Sequence, residues 1–147
     1  TQMPAFGATL TRAEIDALVA YVYAVPAAKP VWGAAEIDAS RIVHHAPDSL
    51  PARRSYAADP LNLFVVVETG DHHASILDGD RLERIARFPT RFALHGGPKF
   101  TPDGRYVFFA SRDGWVTKYD LWNLTTVAEV RALDHVLAVT EPLASPR

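Results

Sequence analysis

From Leu61 onward the chain repeats itself. Sliding the sequence by 42 residues lays Val65 on Val107, Asp71 on Asp113, Asp78 on Asp120, Leu82 on Leu124 and Ala86 on Ala128, and sets Phe64, Val66 and Val67 against Tyr106, Phe108 and Phe109. Within each copy, short runs rich in Val, Ile, Phe and Tyr are separated by Gly–Asp punctuation at Gly70-Asp71, Asp78-Gly79-Asp80, Asp103-Gly104 and Asp113-Gly114. β-branched and aromatic residues fit a pleated surface, and Gly and Asp supply the backbone angles of hairpin turns. Strands are therefore expected at 61–69, 74–77, 82–88, 99–101, 105–111, 115–121 and 126–132. A period near 40 to 45 residues with about four strands per unit is that of a β-propeller blade. Two unrelated β-meanders with shared turn chemistry are the alternative. A propeller closes with roughly four to eight blades, and this chain has sequence for about two, so it reads as a piece of something larger. The tail LDHVLAVTEPLASPR reads as the start of a third blade at Val136, without the turn and second strand that should follow.

The residues ahead of the repeat have a different character. Thr11 and Glu14 stand three apart as a capping box, and Ile15, Leu18, Val19 and Val22 follow at helical spacing until Pro26, which predicts a helix over 12–24. Pro4 and Gly7 place Met3 on an irregular loop before it. Residues 26–59, with Pro26, Pro30, Pro47 and Pro51 and much Ala, lack sustained periodicity and read as a linker. The expected division is thus 1–25, a linker over 26–59, and a β domain over 60–147. Thr1 in first position, with Met3 followed at once by Pro4, points to a processed or truncated N-terminus.

Composition excludes several chemistries. There are no cysteines, so disulfides, thiolate zinc sites, iron–sulfur clusters and a thioether-attached haem have no ligand within these residues. Fifteen Lys+Arg against seventeen Asp+Glu, without a basic block, argue against nucleic acid as a partner. No apolar run reaches the ~18 residues of a membrane span. Chemistry therefore falls to the six histidines and to Met3. His95, in FALHGGPKF, lies between the outer strand of one blade and the inner strand of the next, near the axial face. Gly96 and Gly97 beside it would let a flat ligand approach the backbone. A neutral imidazole in that place is either an axial ligand for haem iron or a hydrogen-bonded loop residue. His72 and His73 share a hairpin turn, where alternation sends them to opposite sides and exposure is the default. His44 and His45 lie in the linker, exposed or reaching over the propeller mouth, and His135 receives no role. Met3 is a soft thioether that suits haem iron, or an ordinary terminal residue.

MPAFGATLTRAEIDALVAYVY resembles the end of a class I c-type cytochrome domain, where a Met-Pro loop supplies the sixth haem ligand. PLNLFVVVETGDHHASILDGD and FALHGGPKFTPDGRYVFFASRDGWVTKYDLWN resemble the opening blades of the haem d1 domain of the cytochrome cd1 family, an eight-bladed propeller. The order and spacing of the two strings are those of that family. The resemblance implies a mainly β fold, about two blades of that propeller after a cytochrome c helix. It implies Met3 as the haem c iron ligand and His95 as the haem d1 iron ligand, with Gly96 and Gly97 beside the macrocycle. Arg91 becomes a partner for the haem d1 carboxylates, and His72 or His73 a proton-transfer group. The wording stands closer to the dihydro-haem d1 dehydrogenases, which oxidise a propionate of dihydro-haem d1 to an acrylate, than to the respiratory nitrite reductases. A non-catalytic propeller that binds a protein partner is the third reading. A periplasmic location, a soluble electron-transfer partner and a homodimeric parent are also implied. The CxxCH attachment motif of haem c is not among these residues, nor are about six blades, so the 147 residues alone are expected to be inactive.

Overall fold

Thr11 starts the first helix as its spacing predicts. Its side chain and the Glu14 carboxylate satisfy each other's backbone donors, and the computed structural model, which describes residues 6–24 and 31–132, runs α1 from Arg12–Val22. Met3, His135 and the expected third blade at Val136 lie outside the described residues. The chain divides into two compact units, one of residues 1–30 and 136–147 that holds α1, and one of residues 31–135.

In the second unit the strands fall where the residue pattern puts them. A three-stranded antiparallel sheet is formed by β2 (Leu63–Glu68), β3 (His73–Asp78) and β4 (Glu83–Pro89). The next copy supplies β5 (Lys99–Phe100), β6 (Tyr106–Ala110), β7 (Trp115–Asp120) and β8 (Thr125–Arg131). The presumed linker is not bare. It carries α2 (Ala34–Ala39) and β1 (Ile42–Val43), and β1 pairs with β8 to give the sheet order β1-β8-β7-β6-β5. A six-residue helix and a two-residue strand are too short to leave a periodic signal. β1 forms because the outer edge of β8 offers unpaired backbone groups.

The two sheets are copies in detail. Asp78 Oδ1 accepts the N–H groups of Asp80 and Arg81, and Asp120 Oδ1 those of Trp122 and Asn123. Leu82 and Leu124 both take left-handed angles (φ 58° and 53°), and both hairpins shift register one step before the turn, at Ile76/Leu77 and Lys118/Tyr119. One correction follows for the first strand. Leu63 lies opposite Asp78, whereas Tyr106 lies opposite Asp120, so β2 maps onto β6 at an offset of 43 while β3 maps onto β7 at 42. The β2–β3 turn is one residue longer than its counterpart. Val65 therefore corresponds to Phe108, and Val107 to Phe64. Since successive side chains face opposite ways, that single step exchanges the faces.

The exchange explains the core. Ala74, Ile76 and Phe88 from one face of the first sheet pack against Val107, Phe109 and Tyr119 from the opposite face of the second. Phe88 stacks on Tyr119 at 3.9 Å and meets Phe109 edge-on at 5.9 Å. The face of the second sheet that corresponds to Ala74, Ile76 and Phe88 carries Val116, Lys118 and Val130 and is only half-buried. Face-to-opposite-face stacking of twisted sheets is how propeller blades follow one another. No helix of the described residues is long and apolar enough to cross a membrane.

Candidate functional site

The connection from β4 to β5 runs across one end of the second sheet and is pinned from Thr90 to His95. Thr90 N–H donates to the His72 carbonyl (2.7 Å), and Ala93 N–H donates to His72 Nδ1 (3.3 Å). The Phe92 ring lies 5.0 Å from the His72 ring. Arg112 N–H donates to the carbonyls of Phe92 and Ala93, Leu94 bridges Ser111, and His95 N–H donates to the Ala110 carbonyl at 2.8 Å. This delivers His95 to the β6 edge just ahead of β5, at the sheet edge opposite β1. Its imidazole is exposed and, among the described residues, has no hydrogen-bond partner. Gly96 has φ +74°, a backbone region that favours glycine, and a Cβ at Gly96 or Gly97 would meet nothing within 4 Å.

Arg91, four residues before His95, is paired with Glu129. Its Nε and one terminal nitrogen reach the two Glu129 oxygens at 2.7 and 2.8 Å, and its guanidinium lies 3.9 Å from the centre of the Trp115 ring. Glu129 also accepts from Thr117 Oγ1 (3.1 Å) and faces His44 Nε2 (3.1 Å). Burial alone would raise the Glu129 carboxyl, but the hydrogen bonds from Arg91, His44 and Thr117 and the Arg91 charge hold it below the usual carboxylate range. A depressed folded-state pKa gives stability that is present above the ordinary glutamate range and lost as pH falls through the lowered value. Thermal melts taken downward through the carboxylate range should show a steep acid loss for the wild type and a shallower one for Glu129→Gln. Equal acid slopes would remove Glu129 from that account.

A family model described as "Cytochrome D1 heme domain" matches residues 58–138, more than half of the chain. The chain belongs to the cytochrome d1 haem domain family. The dihydro-heme d1 dehydrogenase of Pseudomonas aeruginosa is 64% identical over 132 residues, which cover 90% of this chain and 27% of that protein. The solved structure "Dihydro-heme d1 dehydrogenase NirN in complex with DHE" superposes with a TM-score of 0.74 at 64% identity, covering 90% of this chain and 28% of that one. The chain thus spans about a quarter of the length of these relatives.

Within this cytochrome d1 segment the anticipated residues separate. His95, Gly96 and Gly97 form one open turn that is pinned at the His95 N–H. Arg91 leads into that turn and is paired with Glu129. His72 and His73 are not the exposed pair that the turn suggested, since both are half-buried and hydrogen-bonded. His44 and His45 do not reach over the mouth. Their backbones donate to Val127 and their rings meet Glu129 and Thr125 on β8, at the outer edge. Glu129, Thr117 and Trp115 escaped the sequence reading. A signal was available, because TTVAEVR places a carboxylate inside a strand whose neighbours are apolar or β-branched.

Proposed function

We propose that this chain is the part of a dihydro-haem d1 dehydrogenase-type oxidoreductase that presents the haem d1 iron ligand, His95. The observation that carries this reading is the contrast at His95, whose N–H is held by the Ala110 carbonyl while its imidazole is uncommitted among the described residues. The residues fit a haem, since open space borders Gly96 and Gly97 beside that imidazole. Relatives at 64% identity named for dihydro-haem d1 support the substrate class.

Converting a propionate to an acrylate removes two protons and two electrons. Bound haem supplies the electron path, and the protein must supply a base. His72 Nδ1 accepts from Ala93 N–H, so its neutral ring carries the proton on Nε2 and has no free lone pair. His73 donates Nδ1–H to the Asp71 carbonyl at 2.8 Å, which leaves Nε2 unprotonated. Of the two, His73 is the base we assign. The same reading makes residues 1–25 the end of a cytochrome c domain with Met3 as its haem ligand. It places the parent in the periplasm, with a second copy of the parent and a soluble electron-accepting protein as its partners.

The test is haem d1 titration of the intact parent and its His95→Ala variant. The expected result is loss of the iron–histidine signature in the variant. An unchanged spectrum, or no Soret change in the wild type, would instead favour a propeller that only binds protein partners.

A further inference from the structure

The geometry points to Glu129 and Arg91 as a positioning pair for His95. This inference rests on the reading of His95 as the haem d1 ligand. Arg91 Nε and one terminal nitrogen are held by Glu129 at 2.7 and 2.8 Å, and its guanidinium lies over Trp115. A bidentate, stacked guanidinium has one orientation, which lysine cannot reproduce. The pair is sheltered, with side-chain exposures of 30% for Arg91 and 12% for Glu129. It therefore escapes most of the solvent screening that makes surface ion pairs weak.

The position in the chain gives the pair its consequence. Arg91 begins the five-residue run that ends at His95, and the residues between are fixed by His72 on one sheet and by Ser111 and Arg112 on the other. Glu129 holds the first residue of that run on β8, and Ala110 holds the last on β6. The segment is thus stretched across the sheet between two anchors, and its free imidazole inherits the setting of both. Release of the Arg91 end leaves His95 attached but able to rotate away from a single approach to iron. The position on the first sheet that corresponds to Glu129 is Arg87, which bonds to Glu68 and Asp71 at the end of its own sheet. Groups outside the ligand set that orient a ligand typically change affinity by about 10- to 100-fold.

Arg91→Met, Glu129→Gln and the double variant should be compared with the wild type and His95→Ala in the intact protein loaded with haem d1. The readouts are haem d1 affinity and the iron–histidine vibrational signature. Each single variant is expected to bind about 10-fold more weakly and to show a broadened iron–histidine band. The double variant should be no worse than either single one, because the two residues act as a unit. Wild-type affinity and signature in Arg91→Met, whatever its melting point, would overturn the positioning role. An intact signature in His95→Ala would overturn the ligand reading itself, and the inference with it.

Discussion

Asp120→Ala is expected to destabilise the second unit by about 3–5 kcal/mol, against only about 1–2 kcal/mol for the equivalent Asp78→Ala. Both aspartates cap the same turn through Oδ1, so loss of those two backbone hydrogen bonds is common to both variants. The difference lies in the cation each leaves behind. Asp120 is fully buried, and its Oδ2 takes Arg105 Nε at 3.0 Å and a terminal nitrogen at 2.9 Å, with Asn123 Nδ2 at 3.1 Å. The Arg105 side chain is only 15% exposed, and its remaining bonds are to the Leu50 and Pro51 carbonyls. Removal of the carboxylate takes away the only carboxylate that bonds the Arg105 charge directly among the described residues and leaves it two carbonyls and the more distant Asp103 carboxylate. Asp78 faces Arg81 at 3.9 Å, but Arg81 is 68% exposed and returns to water. Urea unfolding of the two variants decides the matter, and equal midpoints would show that the turn, not the ion pair, carries the energy.

The repeat made both aspartates visible in the sequence as Asp78 on Asp120, but it could not rank them. Rank depends on what the chain brings from afar, and Arg105 reaches back to residues 50 and 51 in a stretch that looked like a linker. The same limit explains Glu129. Strand positions and turns follow from local chemistry, and every strand from β2 to β8 lies within about two residues of its expected span. Whether Arg91 points at a cofactor or at Glu129 depends on a partner 38 residues away. The place of His95 in the chain was legible because its setting is local: a strand end, two glycines and a proline, in an order that puts it between one sheet's last strand and the next sheet's first. A uniform 42-residue offset failed only at the first strand, where one extra turn residue moves Val65 from the Val107 to the Phe108 position.

The stacking of one sheet's face on the opposite face of the next has a measurable consequence. Phe88 and Val130 occupy equivalent positions in β4 and β8, so a simple repeat would assign them equal weight. The face assignment separates them. Phe88 is 9% exposed and sits between Tyr119 and Phe109 at the junction of the two sheets, whereas Val130 lies on the half-buried far face. Phe88→Ala removes a ring that touches both sheets and leaves a cavity that Tyr119, itself fixed in the cluster, cannot refill. The expected loss is about 3–5 kcal/mol. Val130→Ala removes two methyl groups with far less water excluded, and its expected loss is below about 1.5 kcal/mol. Calorimetric unfolding of the pair should therefore give well-separated midpoints. If Val130→Ala unfolds as early as Phe88→Ala, the far face is buried against something in solution, and the sheet-to-sheet junction is not the main source of stability in this unit.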